Sequence, residues 1–263
     1  SELPQPTTHG DTRRPEITLA LKDVSIPTAT GSRDLISHIS FNLHAGEVVG
    51  IAGVEGNGQA ELVEAIMGLR EYTGSIDFQG SSIDHMTVAH RHDLGIGLIP
   101  EDRQRQALMM NSPLWENRIL GHQRGKPVMR GFVLDKKATI ADTKRIMEEF
   151  DVRAPGPMTA AAALSGGNQQ KFIVGREMSK APALLVASHP TRGVDIGAQG
   201  AIWEVLREAR SKGMAIVLIS ADLEELIGMS DRLLVMLRGA ITAELDPQKT
   251  TPEQLGSAMT GAA

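Results

Sequence analysis

The stretch GVEGNGQAE, from Gly53 to Glu61, has the glycine spacing of a phosphate-binding loop. It follows an apolar run and precedes an amphipathic one, which predicts a strand, a tight turn and a helix. The usual pattern, G-x-x-x-x-G-K-[ST], adds a lysine for the phosphates and a hydroxyl for magnesium. Here those two positions hold Gln59 and Ala60. The sequence therefore predicts a backbone cradle without the side chains that grip a nucleotide. The candidate nucleotide-binding residues are Gly53, Glu55, Gly56, Asn57, Gly58, Gln59, Ala60 and Glu61.

A second glycine motif, LSGGNQQK from Leu164 to Lys171, lies about 110 residues downstream and opens a predicted helix. A serine hydroxyl, two glycines and a helix N-terminus together favour an anion. The motif is followed by PTRGVD, Pro190 to Asp195.

These motifs, in this order, resemble the ATP-binding cassette (ABC) ATPases. The resemblance runs from about Ile17 to Ala243. It is greatest to the second cassette of fused two-cassette ATPases of bacterial nucleoside and simple-sugar importers. Within these, IPEDRQRQAL, FDVRAPGP and ASHPTRGVDIGA point to the nucleoside or purine branch. It implies an α/β fold: a P-loop-type parallel-sheet core, a β-rich edge subdomain and a helical subdomain.

The resemblance also shows which catalytic positions depart from the family pattern. In this chain Gln59 stands at the position of the phosphate-binding lysine and Ala60 at that of the magnesium-binding hydroxyl. Ser188 stands at the position of the magnesium-binding aspartate and His189 at that of the glutamate that polarises water. Ala221 stands at the position of the histidine that contacts the γ-phosphate. Glu101 stands where a glutamine usually reaches toward magnesium. Near Ile26 the aromatic residue that usually stacks on adenine is missing.

The missing lysine alone removes a hydrogen bond to a charged group, worth roughly 1.5–3 kcal/mol. That is a loss of about ten- to a hundredfold in ATP affinity. Because phosphoryl transfer depends on positioning and charge neutralisation, we expect negligible hydrolysis at this loop. His189 as a substitute base is disfavoured, since no magnesium site is predicted beside it.

The signature, in contrast, is intact apart from an asparagine in place of glutamine. Its residues are Leu164, Ser165, Gly166, Gly167, Asn168 and Gln169, and Gly193 and Asp195 follow in the next loop. In the family, two cassettes pack head to tail, and each ATP lies between the P-loop of one and the signature of the other. The resemblance therefore implies that this chain presents Ser165 and its glycines to ATP held by a partner cassette.

Periodicity and composition divide the chain into a polar linker at 1–16, an ATPase core with a β subdomain at 17–107 and 164–249, a helical subdomain at 108–163 and a C-terminal tail at 250–263. Alternating segments in 17–43 predict the β-rich edge. GSIDFQG and GIGLIP are interpreted as a short strand pair. ALLVAS and AIVLIS, with a helix between them, predict a parallel βαβ unit. By the resemblance, a first cassette lies upstream of Ser1.

The composition limits the kinds of partner and ligand that are expected. A net charge of −5 and 3% aromatic residues disfavour nucleic acid. The chain has no cysteine, which excludes thiolate metal sites, and its eight histidines lack metal-ligand spacing. We therefore expect no metal site. The His-rich stretch HMTVAHRH is expected to be a solvated helix face.

The resemblance names ATP as the ligand, bound weakly or only at the shared interface, with Mg²⁺ not bound by this half. It implies a second cassette and membrane permease subunits as partners, a solute-binding protein acting indirectly, and a peripheral location on the cytoplasmic face of the inner membrane of a bacterium. Two alternatives stay open: an active ATPase with unusual site residues, and a dimerisation or regulatory module without a transport role. DNA-repair ABC ATPases are disfavoured by the acidic charge and by the absence of a long coiled-coil insertion.

Overall fold

The computed structural model describes residues 10–28 and 34–261. The predicted linker up to residue 9, part of the turn after Pro27 and the last two residues of the tail lie outside that range. The chain forms two compact units. The first consists of Ser1–Leu98, Pro182–His189 and Trp203–Ala263, and the second consists of Ile99–Ala181 and Pro190–Ile202. The predicted limits of the helical subdomain, 108 and 163, both lie inside the second unit.

The main sheet has six strands in the order β12-β11-β3-β10-β9-β6. These strands are β3 (Val48–Ala52), β6 (Ile96–Ile99), β9 (Leu184–Ser188), β10 (Ala215–Ile219), β11 (Arg232–Leu237) and β12 (Ala240–Leu245). The central strands β11, β3, β10 and β9 are parallel. Every residue of β3, β9 and β10 is buried, as expected for parallel strands covered on both faces. The predicted parallel βαβ unit is confirmed.

A smaller antiparallel sheet has the order β2-β1-β4-β5. Its strands are β1 (Ile17–Pro27), β2 (Asp34–His44), β4 (Thr73–Phe78) and β5 (Ser81–Ser82). The alternating burial of β2 matches a strand with one covered face. The β-rich edge is thus confirmed. The interpretation of GSIDFQG and GIGLIP as a strand pair is wrong, because β4 pairs with β1 and β5, whereas β6 belongs to the six-stranded sheet.

The first unit also contains helices α1 (Gln59–Met67), α2 (Val88–Asp93), α7 (Leu223–Met229) and α8 (Pro252–Thr260). Buried apolar side chains of both sheets and of α1 form one core. The chain turns between β11 and β12 through Arg238 and Gly239, both with positive φ, as a two-residue hairpin requires. Helix α6 (Ile196–Ser211) begins in the second unit and ends in the first.

The second unit is mainly helical. Its elements are a π-helix (Arg103–Ala107), α3 (Leu114–Asn117), the hairpin strands β7 (Met129–Arg130) and β8 (Val133–Leu134), α4 (Lys136–Glu149), a 3₁₀ turn (Ala161–Ala163) and α5 (Gly166–Met178). Helices α4 and α5 pack closely at Gly175, where a Cβ would lie 2.7 Å from Ile146 and Phe150 atoms. No helix in the described ranges is long and apolar enough to span a bilayer.

Candidate functional site

The glycine loop joins β3 to α1 as predicted. Gly56 and Gly58 have φ of 86° and 106°, a region that side chains other than glycine rarely adopt. A Cβ on Gly53 would lie 2.4 Å from Gln59 Nε2 and 2.7 Å from the Met236 carbonyl oxygen. The glycines are therefore required by the local fold itself, whether or not a phosphate binds.

Gln59 turns back into its own loop. Its Oε1 accepts a hydrogen bond from the Asn57 backbone N–H at 3.1 Å, and its Nε2 donates to the Val54 carbonyl at 3.2 Å. The side chain is buried, with 8% of the residue exposed. A phosphate-binding loop offers its backbone N–H groups to the ligand. One of these groups is already satisfied here by the residue that replaces the lysine.

Asn57 fixes the loop to the β11–β12 turn. Its Oδ1 accepts from the Arg238 N–H at 2.7 Å, and its carbonyl oxygen accepts from the Gly239 N–H at 3.0 Å. Its Nδ2 donates to Val54 O at 2.8 Å. The polar groups of Asn57 therefore fix the glycine loop to the turn between β11 and β12.

Three further predicted positions lie at the same end of the sheet. Since β3, β10 and β9 are parallel neighbours, the loop, Ala221 and the pair Ser188–His189 all follow carboxyl ends of adjacent strands. Ser188 is buried and Ala221 exposed. None of these three residues carries a carboxylate.

His189, which by the resemblance corresponds to the polarising glutamate, has a positive φ of 48°. Its backbone N–H donates to the Ile219 carbonyl at 2.7 Å, and its Nδ1 accepts from the Ala221 N–H at 3.3 Å. A neutral imidazole that accepts through Nδ1 carries its proton on Nε2. While this hydrogen bond is kept, the Nδ1 lone pair is engaged with the Ala221 N–H. The geometry argues against His189 as a general base.

The signature lies in the second unit and starts helix α5. Ser165 is the N-cap: its Oγ accepts from the Asn168 N–H at 3.4 Å and from Asn168 Nδ2 at 3.0 Å. Asn168 Oδ1 also accepts from the Arg153 N–H at 2.8 Å. The asparagine that replaces the usual glutamine therefore joins the cap to the preceding loop. Leu164 and Gln169 are buried, whereas Ser165 is exposed at the helix N-terminus.

The signature glycines permit close approach to the loop at 190–195. A Cβ on Gly166 would lie 2.7 Å from Arg103 Nη2 and 3.0 Å from the Gly193 carbonyl oxygen. A Cβ on Gly167 would lie 2.9 Å from Asp195 Oδ2. Asp195 Oδ1 accepts from the Ala198 N–H at 2.9 Å, and this hydrogen bond lowers the pKa of Asp195. The structure brings the signature, Gly193 and Asp195 together, whereas the sequence indicated only that Gly193 and Asp195 lie in the following loop.

A cleft of about 340 Å³ opens beside the signature within this unit. Ser165, Asn168 and Asp195 line it, together with Arg153 and Lys171. Lys171 Nζ donates to Asp151 Oδ2 at 2.8 Å, and this contact lowers the pKa of the Asp151 carboxyl. The exposed serine thus borders a polar, water-accessible surface.

Glu101 forms an ion pair with Arg192 in the same unit. The sequence indicated Glu101 but neither Arg103, which contacts Gln169 and Gly193, nor Arg192, which pairs with Glu101. The arginines belong to IPEDRQRQAL and PTRGVD, the stretches quoted for the resemblance, but spacing alone did not indicate their contacts.

Comparison with protein families matches residues 36–192 to the family described as ABC transporter. The chain is 42% identical over 244 residues to the guanosine import ATP-binding protein NupO of Bacillus subtilis, covering 92% of this chain and 48% of that protein. It is 39% identical to the nucleoside import ATP-binding protein NupA of Lactococcus lactis, covering 94% and 49%. It is 38% identical to the ribose import ATP-binding protein RbsA 1 of Streptomyces avermitilis, covering 85% and 43%. The chain spans about half the length of these relatives.

Solved structures show the same fold. A nucleotide-free ATP-binding cassette from an ABC transporter superposes with a TM-score of 0.75 at 21% identity, covering 93% of this chain and 95% of that chain. A second ATP-binding cassette, in its ADP conformation, gives 0.73 at 21% identity, covering 93% and 95%. The predicted α/β cassette fold is confirmed. The matched family and the shared fold together show that the chain belongs to the ABC transporter family.

Proposed function

We propose that this chain is the second, degenerate ATP-binding cassette of a bacterial importer for nucleosides or simple sugars. In this role it presents its signature, Leu164 to Gln169, to ATP held by a partner cassette. Its own glycine loop does not turn over ATP. The observation that carries the proposal is the contrast between an exposed, capped Ser165 and a loop whose cradle is occupied by Gln59.

The chemistry of the signature and that of the glycine loop support these separate roles. The signature offers a hydroxyl and a helix N-terminus, which together favour anionic phosphate oxygens. The loop offers no cation at position 59 and no hydroxyl at position 60. His189 is engaged through Nδ1 with Ala221, so an active ATPase with a replacement base is disfavoured.

Partners and location follow from the relatives. The import functions in the names of NupO, NupA and RbsA 1 support membrane permease subunits, a solute-binding protein acting indirectly, and a peripheral place on the cytoplasmic face of the membrane. The identities of 42% and 39% to the guanosine and nucleoside relatives and of 38% to the ribose relative support nucleosides or simple sugars as cargo.

The test is ATP hydrolysis and uptake by the full-length, assembled transporter with Ser165→Ala or Gly166→Asp. Both variants should abolish turnover: the first removes the hydroxyl, and the second adds a carboxylate at the signature and pushes its Cβ against Arg103 and the Gly193 carbonyl. Ser165→Ala also removes a helix cap, which costs about 1 kcal/mol of stability.

Two controls isolate the signature. Asp135→Ala removes the N-cap of α4 in the same unit, where Asp135 accepts from the Ala138 N–H at 2.9 Å. Gly156→Asp adds the same carboxylate where a Cβ would have nothing within 4 Å. Both controls should keep most of the activity. Full turnover in Gly166→Asp would refute the role of signature donor.

A further inference from the structure

We propose that Arg103 is a positioning residue that, with the Glu101–Arg192 ion pair, holds the loop at 190–195 against the signature and sets the geometry in which the signature meets ATP. We call these three side chains the arginine latch. The inference rests on the proposed function, because it concerns how the donated signature is held in its working position.

The guanidinium of Arg103 joins three segments of the second unit. Its Nη1 donates to the Arg192 carbonyl at 2.7 Å, its Nη2 to the Gly193 carbonyl at 3.2 Å and its Nε to Gln169 Oε1 at 3.4 Å. A planar fork with several fixed donors suits this bridging, whereas the single ammonium of lysine does not. One side chain thus links the π-helix, the loop at 190–195 and the first turn of α5.

The π-helix gives Arg103 a defined direction. Asp102 caps this helix, and its side chain accepts from the Gln104 and Arg105 N–H groups at 3.1 Å each. Arg105 points outward, with 88% of its side chain exposed. Two arginines two residues apart on the same short element therefore have opposite surroundings.

A parallel connection runs through the side chain of Arg192. Its Nη1 pairs with Glu101, while its carbonyl oxygen accepts from Arg103. An exposed ion pair contributes little to stability on its own. Combined with the Arg103 hydrogen bonds, it holds Arg192 at both its backbone and its side chain, which determines where the following Gly193 lies.

The latch also touches the signature directly. Arg103 Nη2 would lie 2.7 Å from a Cβ on Gly166, so the guanidinium rests against the signature glycine. Residues 101–103 are thus linked both to the signature and to the loop at 190–195. In this chain Glu101 is part of that connection, through its contact with Arg192.

The first test compares Arg103→Ala with the matched control Arg105→Ala in the full-length, assembled protein. Arg103→Ala should lower kcat for ATP hydrolysis at least about tenfold, the size of one charge-assisted hydrogen bond. KM for ATP should stay within about twofold of the parent value, and the melting temperature should stay within about 3 °C of it. Arg105→Ala should match the parent. Equal activities of the two variants would overturn the proposal.

The second test is a charge swap between half-buried Glu101 and exposed Arg192, neither of which is in the apolar core. Glu101→Arg and Arg192→Glu should each lower kcat, and the double variant should recover to within about threefold of the parent. This readout is independent of folding, because a purely structural loss would not be rescued by exchange. A double variant slower than both single variants would contradict the latch, even where Arg103→Ala fails to fold.

Ser165→Ala run in parallel separates the two claims. If Ser165→Ala is inactive while Arg103→Ala and both charge variants are normal, the signature is donated but the latch is wrong. If Ser165→Ala is fully active, the donated signature fails, and the latch fails with it. Inactive Ser165→Ala together with the kcat loss and the rescue supports both.

Discussion

Gln59 gives a physical reason for a glycine loop that lacks its lysine. The side chain accepts one backbone N–H and donates to one carbonyl, so the loop is closed by internal hydrogen bonds. A lysine has three donors and no acceptor, and it would leave the Asn57 N–H without this partner. The glutamine thus stabilises the loop through contacts within the protein alone.

Gln59→Lys is expected to leave ATP turnover of the full-length protein within about twofold of the parent. The added charge improves phosphate attraction by roughly 1.5–3 kcal/mol. It does not supply the carboxylates missing at Ser188 and His189. The measurement is steady-state Mg-ATP hydrolysis, with the exposed Gln248→Lys as control for added charge. A tenfold rise confined to Gln59→Lys would mean that the loop is a nearly complete catalytic site.

At the scale of single residues, the sequence indicated which side chains stand at each motif but not which contacts they make. The spacing of Gly53, Gly58 and the residues from Leu164 to Gln169 was sufficient to predict both loops. It did not indicate that Gln59 folds inward or that Arg103 reaches Gly193. Such contacts depend on side-chain direction and on residues about 90 positions apart, which periodicity does not encode.

At the scale of elements, helix α1 is held at its C-terminal end by a buried cation. Arg91 is 1% exposed and donates to the carbonyls of Ala65 and Ile66 at 2.7 and 2.8 Å, and to that of Ile83 at 2.8 Å. A cation at this end also complements the helix dipole. The expectation of a solvated face for HMTVAHRH is wrong at Arg91, although Val88 and His90 in α2 are exposed. A charged residue in a polar stretch gives no sign of burial until its acceptors are known.

Arg91→Ala is expected to lower the free energy of unfolding by about 3 kcal/mol or more, because several buried carbonyls lose their donor. The matched control is Arg70→Ala, which removes an exposed ion pair with Glu64 and should cost less than about 1 kcal/mol. Urea denaturation followed by circular dichroism measures both. Similar losses in the two variants would show that Arg91 does not hold the end of α1.

The strands were predicted well where hydrophobicity is continuous and poorly where pairing is long-range. ALLVAS and AIVLIS carry the unbroken apolar character of buried parallel strands, and both form as predicted. GSIDFQG and GIGLIP have similar local patterns but join different sheets. Local pattern identifies a strand, whereas its neighbours are determined by tertiary packing.

At the scale of the whole molecule, the two units carry different parts of the proposed function. The first holds the sheet, the glycine loop and the empty catalytic positions, and the second holds the signature and the arginine latch. The proposed loss of catalytic side chains in the first unit does not affect packing in the second, because Gly166, Gly193 and Asp195 depend on contacts within that unit. A cassette of this kind can lose its own reaction and keep its role toward a partner.

The most direct test of this account is a calorimetric titration of the isolated chain with Mg-ATP up to millimolar concentration. The account predicts no binding, or binding only in the millimolar range, since Gln59 occupies the loop and neither lysine nor hydroxyl is present to hold the phosphates. Micromolar binding would contradict it. The glycine loop would then be a nucleotide site in its own right, and slow hydrolysis through His189 would have to be measured.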